Sequence, residues 1–271
     1  MFGGKQCSQM VCMSCGKVKN RIESYFNLSL PVKDLNSVHD SLKKQVEGEI
    51  INGYRCDGCG KEVDLSKRTL IAETPNILIV HLQRICFNFD TLENDKLNSL
   101  CKFPNILDLT PYTYFDVMEK ENRLGKKKDD VEIKENEMTE AEIQKAKEAA
   151  EEAKDPERDD CFEYKLVGVN VHSGAASFGH YWSYINTNRG YDDSDDPNWH
   201  KTEKDPWMEF NDASVSDWDF KNLAKECYGN ENSTGFFSAG GDSYGTSGYM
   251  LFYERRKKKD LKIVVPKDEV D

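Results

Sequence analysis

The chain has 271 residues, of which 38% are hydrophobic and 32% are charged, and its formal net charge is −12. This acidic balance argues against nucleic acid as a partner and favours a partner that presents basic side chains. No apolar run approaches the roughly 18 residues of a membrane-spanning helix, so we expect no membrane partner. Nine cysteines without the layout of a secretory signal indicate a reducing compartment, and we expect a cytoplasmic or nuclear protein.

The first hundred or so residues alternate strand-like runs with turns. The apolar run "TPNILIVHLQRI" at 74–85 predicts a buried strand. Residues 53–71 predict a turn between two strands, and the proline-punctuated segment 103–113 predicts an edge segment of a sheet. The first part of the chain is therefore expected to be mainly β-structure.

A segment of different composition, 119–160, interrupts the strands. It is rich in Glu, Lys and Ala with almost no aromatic residues, which predicts a solvated helix or a disordered insertion between two core strands. Further strands are predicted at 161–174, 180–186, 207–212 and 248–256. Residues 215–229 have helical spacing, 238–248 form a Gly/Ser-rich loop, and 257–271 are expected to be a frayed tail.

Four cysteines form two Cys-x-x-Cys pairs about forty residues apart. Each pair can present two thiolates to one ion from a tight turn, and two such turns complete a tetrahedral Zn²⁺ site. Four thiolates leave no open coordination position, so the metal would be structural. The alternative is four unrelated buried or redox thiols. The candidate zinc ligands are Cys12, Cys15, Cys56 and Cys59.

A histidine opens the aromatic run "HYWSYIN" at 180–186. If this run and "WMEFND" are consecutive antiparallel strands, His180 lies beside Asn211 and Asp212. A catalytic histidine is commonly held by a side-chain oxygen that accepts from Nδ1–H and leaves Nε2 free to take a proton. A histidine at a strand end is more often an ordinary surface or core residue, but the nearby "FND" favours the catalytic interpretation.

The base would serve a cysteine or serine nucleophile, and none of the nine cysteines has a suitable setting. A reactive thiol is expected at a helix N-terminus in a small, polar neighbourhood. Only Cys227 is near a predicted helix, and it ends that helix. The sequence therefore predicts a base without a thiol partner in this chain.

The segments "GVNVHSGAASFGHYWSYI", "WMEFNDASV" and "GYMLFYERR" resemble the histidine-box half of the ubiquitin-specific protease family of deubiquitinases. The two Cys-x-x-Cys pairs, "TPNILIVHLQRICF" and "FPNILDLTPY" are similar to that family's fingers and palm segments. The resemblance implies an α+β, papain-like cysteine protease fold with an antiparallel palm sheet, a zinc-bound fingers region and, here, no thumb. It implies hydrolysis of the isopeptide or peptide bond after the C-terminal glycine of ubiquitin, with ubiquitin and ubiquitinated proteins as partners.

The same resemblance assigns roles and regions. His180 becomes the general base, Asn211 its orienter and Asp212 a supporting group, while 172–179 form a blocking loop over the arginine-containing ubiquitin tail. The four paired cysteines hold the structural zinc ion. The regions implied within a partial catalytic domain, 1–271, are the zinc fingers region (1–73), the palm (74–118 and 161–256), the charged insertion (119–160) and the tail (257–271).

One part of the family pattern has no counterpart in the 271 residues. The cysteine box, a Gly-x-x-Asn-x-Gly-x-Thr-Cys-type stretch that opens the thumb helices, is absent. We therefore expect a fragment or a natural half-enzyme that needs a missing thumb segment as a partner and does not hydrolyse ubiquitin conjugates alone. The alternatives are a catalytically inactive, zinc-braced ubiquitin-binding module and a zinc-ribbon nucleic-acid binder, which the net charge disfavours.

Overall fold

A computed structural model describes residues 1–129, 161–188, 199, 205–229 and 245–260. These residues form a mixed α+β fold that contains two large sheets, one separate hairpin and three α-helices. The strands are β1 (Gly4–Cys12), β2 (Val18–Tyr25), β3 (Leu28–Pro31), β4 (Glu49–Arg55), β5 (Glu62–Glu73), β6 (Ile77–Gln83), β7 (Ile85–Asn88), β8 (Glu93–Lys96), β9 (Ile106–Asp108), β10 (Glu163–Gly174), β11 (Gly179–Asn186), β12 (Trp207–Asn211), β13 (Ser214–Asp217) and β14 (Thr246–Arg255). The helices are α1 (Val38–Glu47), α2 (Tyr114–Asp129) and α3 (Leu223–Cys227).

The four-stranded sheet has the order β2-β1-β5-β4, and every pair is antiparallel. The predicted turn at 53–71 is confirmed as the β4–β5 connection. Because β1 and β5 are direct neighbours, with Cys12 opposite Leu65, the β1–β2 and β4–β5 turns lie at the same end of the sheet. At the other end, Cys7 and Leu70 pack against Val117 of α2.

The eight-stranded sheet has the order β13-β12-β11-β10-β14-β6-β3, with the short β9 added against β10. All of its pairs are antiparallel except β3–β6, which is parallel. The antiparallel sheet predicted from the sequence is therefore confirmed with this one exception. The strands β11 and β12 form the antiparallel pair on which the histidine prediction depends.

The main core lies on one face of the eight-stranded sheet. In β6, Leu78, Val80 and Leu82 alternate on this face and are fully buried, which confirms the predicted buried strand. Burying one such side chain stabilises the fold by about 1.5–3 kcal/mol. Strand β14, which pairs with β6, and strand β10, which pairs with β14, add the buried side chains Leu166, Val169, Val171, Leu251 and Tyr253.

The prediction of a helix at 215–229 is wrong for its first half. Residues Ser214–Asp217 form β13, which pairs with β12 across a two-residue turn at Asp212 and Ala213. Asp212 has a φ of 50°, a left-handed conformation that Asp tolerates better than most residues and that closes the hairpin. The α-helix is limited to Leu223–Cys227.

Helix α1 was not predicted, although its boundary signals are present in the sequence. Ser37 caps its N-terminus by accepting a hydrogen bond from the backbone N–H of Asp40. Gly48 ends the helix with a φ of 77°, and its N–H donates to the carbonyl of Lys44. The buried Leu42 anchors the helix to the main core.

The predicted regions correspond only partly to these sheets. Strand β3, which lies within 1–73, belongs to the eight-stranded sheet rather than to the four-stranded one. Residues 119–129 continue α2, and 130–160 lie outside the described residues. No helix in the described part of the chain is long and apolar enough to cross a membrane.

The start of the predicted tail is held by the fold. The Asn76 side chain donates through Nδ2 to the carbonyl of Lys259 (2.8 Å) and accepts through Oδ1 from its N–H (2.7 Å). The Lys259 ammonium also donates to the carbonyl of Thr74. Residues 257–260 are thus ordered, contrary to the prediction of a frayed tail, and 261–271 lie outside the described residues.

Most of the predicted loop at 238–248 also lies outside the described residues, and its last three residues belong to β14.

Candidate active site and metal centre

His180 and Asn211 meet near one edge of the eight-stranded sheet. They are 31 residues apart in the chain, and Nε2 of His180 lies 2.7 Å from Oδ1 of Asn211. At the end of the β11–β12 pairing that is nearer to His180, Ser183 lies opposite Phe210. The next pair in the same register would be Trp182 with Asn211. His180 is two residues further along β11 and therefore lies on the same face of the sheet as Trp182. The two rings stack with centroids 5.7 Å apart.

The ring nitrogen used in this contact differs from the one expected. Asn211 contacts Nε2 of His180, not Nδ1. Nδ1 forms no hydrogen bond among the described residues. This nitrogen is thus the one available to accept a proton, and the half-exposed side chain leaves it accessible.

Sequence reasoning missed a third polar residue at this site, Glu209. The Nδ2 group of Asn211 donates to Oε1 of Glu209 at 3.1 Å. Glu209 and Asn211 are two residues apart in β12, so both side chains lie on the same face of the strand. This i, i+2 spacing within "WMEFND" was the available signal.

Asp212 lies near His180 but is not hydrogen-bonded to it. Its Oδ2 is 3.9 Å from Nε2 of His180, which is within ion-pair range but too long for a hydrogen bond. The Asp212 side chain is 81% exposed at the β12–β13 turn. The structure therefore brings His180 into direct contact with Asn211 and only into proximity with Asp212.

The four predicted zinc ligands come together at the end of the four-stranded sheet. Their sulfur atoms all lie within 4.8 Å of one another. The Sγ atoms of Cys12 and Cys59 are 3.7 Å apart, and those of Cys15 and Cys56 are 3.9 Å apart. The cluster thus joins the β1–β2 turn to the β4–β5 turn.

The family model described as "Ubiquitin carboxyl-terminal hydrolase" matches residues 1–253. The chain belongs to this family. It is 33% identical over 273 residues to the human protein "Ubiquitin carboxyl-terminal hydrolase 34" and 31% identical over 268 residues to the human protein "Ubiquitin carboxyl-terminal hydrolase 9Y". These alignments cover 96% and 94% of this chain, but only 7% and 10% of the respective relatives.

A solved structure extends the family assignment to the fold. The chain is similar to one in "Structure of the SAGA Ubp8/Sgf11/Sus1/Sgf73 DUB module bound to ubiquitin aldehyde", with a TM-score of 0.59 and 21% sequence identity. The superposition covers 96% of this chain and 42% of that one. The fold is therefore that of the ubiquitin-specific type of deubiquitinase, as the sequence resemblance implied.

The cysteine cluster of this chain fits a zinc ion. Sulfur ligands at about 2.3 Å in a tetrahedron stand about 3.8 Å apart, close to the distances of the two cysteine pairs. Hydrogen bonding from the backbone N–H of Cys15 lowers the pKa of Cys12 to about 6, which favours the metal-binding thiolate. A hydrogen bond with Cys15 raises the pKa of Cys59 to about 12, because it stabilises the protonated thiol.

The two metal-binding turns have the same backbone geometry. Both have the sequence Cys-x-x-Cys-Gly-Lys, and in each the glycine N–H donates to the carbonyl of the first cysteine: Gly16 to Cys12 at 2.9 Å, and Gly60 to Cys56 at 2.8 Å. Both glycines have a φ of 69°, in the left-handed region where a side chain is unfavourable. Two matched turns support a common ligand better than four unrelated thiols.

No cysteine is positioned as a partner of His180. All nine cysteines lie in described parts of the chain, and none forms a hydrogen bond or ion pair with this histidine. Burial raises the pKa of Cys101 to about 11 and also raises the pKa of Cys227, so both are protonated thiols at neutral pH. Cys101 and Cys227 are buried, whereas Cys86 and Cys161 are only partly buried.

The predicted blocking loop at 172–179 is mostly the end of a hairpin. His172 to Gly174 belong to β10, Gly179 begins β11, and Gly174 pairs with Gly179. Only the four residues 175–178 lie outside the strands. Phe178, next to Gly179, is 59% exposed. The hairpin therefore presents a short loop directly before His180.

Proposed function

We propose that this chain contributes the general base and its orienter to the thiol-dependent hydrolysis of the bond after the C-terminal glycine of ubiquitin. The observation that carries the proposal is the 2.7 Å contact between Nε2 of His180 and Oδ1 of Asn211 in a member of the ubiquitin carboxyl-terminal hydrolase family. The nucleophilic thiol comes from outside these 271 residues, since no cysteine is placed to serve His180.

The roles follow from the two ring nitrogens. Nε2–H of His180 donates to Asn211, and Nδ1 takes the proton from the thiol, so that the thiolate attacks the glycine carbonyl. The protonated ring then returns its proton to the departing amine. Water hydrolyses the resulting thioester with Nδ1 again acting as base. Asp212, which lies 3.9 Å from Nε2, adds negative charge near the imidazolium.

The net charge supports a basic partner such as the arginine-containing ubiquitin tail. An acidic chain speeds the encounter with a basic segment, and this contribution weakens as salt screens the charges. Zinc held by the four clustered cysteines would stabilise the four-stranded sheet and would take no part in the chemistry, because four sulfur ligands fill its coordination sphere.

The first experiment tests the isolated chain. The purified 271-residue protein, with its zinc content measured, is incubated with ubiquitin that carries a C-terminal electrophile, and binding of unmodified ubiquitin is measured by titration calorimetry. We expect binding that weakens with added salt and no covalent labelling. Covalent labelling at any cysteine of this chain would contradict the assignment of the thiol to another segment.

The second experiment restores the thiol. A longer polypeptide that carries a cysteine-box segment ahead of Met1 is assayed on a ubiquitin substrate cleaved after the terminal glycine. We expect hydrolysis that His180→Ala abolishes and Asn211→Ala reduces by about 10- to 1,000-fold. His39→Ala is the matched control, since His39 is an exposed histidine bonded to Tyr112. Equal effects of His180→Ala and His39→Ala would refute the proposed base.

A second candidate function is a catalytically inactive ubiquitin-binding module braced by zinc. The observation that favours it is the lack of a suitably placed thiol among the nine cysteines. The two functions differ in the second experiment. If the longer polypeptide binds ubiquitin but neither reacts with the electrophile nor cleaves the substrate, the binding module is the correct assignment.

A further inference from the structure

Behind the Asn211 carboxamide lies a carboxylate with no assigned role. Oε1 of Glu209 accepts a hydrogen bond from Nδ2 of Asn211 at 3.1 Å, on the side opposite the contact with His180. We propose that Glu209 is a positioning residue that fixes the orientation of the Asn211 amide and, through it, the tautomer of His180. The inference rests on the proposed role of His180 as the base.

The atoms that can donate a hydrogen bond determine how these three side chains are arranged. An ionised carboxylate only accepts hydrogen bonds, so Glu209 must face the NH₂ group of Asn211. The carbonyl oxygen of the same amide then faces His180. An amide oxygen only accepts, so Nε2 of His180 must carry a proton, and in the neutral ring Nδ1 is the unprotonated nitrogen. The Glu209 carboxylate, which is linked to the ring through two successive hydrogen bonds, therefore selects the tautomer in which Nδ1 can act as base.

Without Glu209 the Asn211 amide could rotate by about 180° and exchange the positions of its oxygen and its NH₂ group. Its NH₂ group would then donate to an unprotonated Nε2, and the ring proton would be on Nδ1. In that tautomer Nδ1 cannot take a proton from a thiol. A hydrogen bond to a charged acceptor is worth enough to favour one orientation by about 10-fold or more. Asp212 cannot replace Glu209 in this role because its carboxylate lies on the imidazole side, 3.9 Å from Nε2.

The surroundings of Glu209 leave its carboxylate available for this contact. On the neighbouring strands it lies opposite Tyr184 and Ser216. The Tyr184 hydroxyl donates to Glu226 at 2.6 Å instead. Glu209 is also half-buried, so water competes less for its oxygen than at a fully exposed site.

The test is ¹⁵N NMR of the histidine rings in the zinc-loaded 271-residue chain, at a pH where the His180 ring is neutral. Protonated and unprotonated ring nitrogens differ widely in chemical shift, so the tautomer is read directly, and the His180 signals are assigned by their loss in His180→Ala. We expect the wild-type chain to show one tautomer with the proton on Nε2. In Glu209→Ala we expect loss of that preference, with Nδ1–H present at a comparable population.

Two further variants separate positioning from folding and charge. Glu209→Gln keeps an oxygen that can accept from Asn211 and should retain most of the Nε2–H tautomer. Asp217→Ala removes an exposed carboxylate from β13, opposite Met208, and should leave the His180 signals unchanged. If Glu209→Ala does not fold, Glu209→Leu, of similar volume to Glu, takes its place. An unchanged His180 tautomer in a folded Glu209→Ala or Glu209→Leu chain overturns the proposal.

This measurement needs neither ubiquitin nor a thiol. A shifted tautomer in Glu209→Ala together with absent ubiquitin binding would leave the positioning role standing and refute only the proposed function. In the longer, thiol-bearing polypeptide, the same substitution should lower kcat with little change in KM, because Glu209 acts through Asn211 and His180 rather than through substrate binding.

Discussion

Gly179, in the β10–β11 hairpin directly before His180, has no space for a side chain. A Cβ added to Gly179 would overlap Nε2 of His172 and the carbonyl oxygen of Ser173. Both atoms belong to β10, which pairs with β11 at this point, and the carbonyl cannot move without disturbing that pairing. The glycine thus allows β11 to begin close against β10, and this places His180 at the end of the hairpin.

We therefore predict that Gly179→Ala destabilises the protein by about 1–3 kcal/mol, as overpacking of a close contact does. The measurement is the free energy of unfolding from urea titration. Gly168→Ala is the matched control in the neighbouring strand, where the nearest atom to an added Cβ is 3.6 Å away. This control should be neutral or up to about 1 kcal/mol more stable. Equal destabilisation by both substitutions would show that close packing at Gly179 is not the cause.

The sequence was sufficient to predict the contact between His180 and Asn211 but not its chemistry. A hairpin register places side chains on a face, and that was enough to bring these two residues together. Which ring nitrogen is used, and which way the amide points, depend on side-chain torsions and on the neighbour Glu209. Strand periodicity contains no information about those torsions, so the predicted nitrogen was wrong.

At the scale of elements, local patterns were reliable where one short motif determines the structure. The two Cys-x-x-Cys-Gly-Lys turns are set by their own residues and were predicted correctly as two adjacent turns. The segment 215–229 was mispredicted because its apolar spacing also fits a strand followed by a short helix. There the turn at Asp212 and the pairing with β12 outweigh the helical periodicity.

The position of the cysteine cluster predicts how metal removal acts on the four-stranded sheet. The cluster holds one end of the sheet, whereas the other end is packed on α2 through Cys7, Leu70 and Val117. A strong chelator should therefore increase amide hydrogen exchange at residues 12–20 and 53–63, with much smaller changes at 4–8 and 69–73. Exchange measured by mass spectrometry checks this, and a uniform increase over the whole sheet would contradict it.

Zinc content provides a separate prediction for the ligand set. The purified chain should contain one zinc ion per molecule, and Cys15→Ser should lose most of it because a hydroxyl is a poor ligand compared with a thiolate. Cys86→Ser is the matched control, since Cys86 is a partly buried cysteine outside the cluster. Elemental analysis after gel filtration measures both. Equal zinc in the two variants would exclude Cys15 as a ligand.

At the scale of the whole molecule, strand order is what the sequence patterns did not provide. The last described strand, β14, lies between β10 and β6 in the eight-stranded sheet, and β3 joins the far edge in parallel. Alternation of apolar residues shows that a strand has a buried face, but it does not name the neighbour. The resemblance to a known family gave the fold class, which periodicity alone could not.

One buried side chain connects segments that are distant along the chain. Arg84 is fully buried and donates to four backbone carbonyls: Gly248 at 2.7 Å, Leu97 at 2.9 Å, Ser99 at 2.8 Å and Tyr228 at 3.1 Å. The acceptors lie in three segments, up to 164 residues away in the sequence. Its planar group of five N–H donors suits this arrangement, which a lysine could not reproduce.

We predict that Arg84→Met lowers the free energy of unfolding by at least about 3 kcal/mol, because it leaves several buried carbonyls without a donor. Methionine keeps much of the volume of the aliphatic part of arginine, so the loss of stability is due mainly to the missing hydrogen bonds. Urea unfolding measures it, with the exposed Arg55→Ala as control. Buried charges can sometimes be replaced by apolar groups without loss. A variant as stable as the wild type would place Arg84 in that class and show that its four hydrogen bonds do no more than offset the cost of burying its charge.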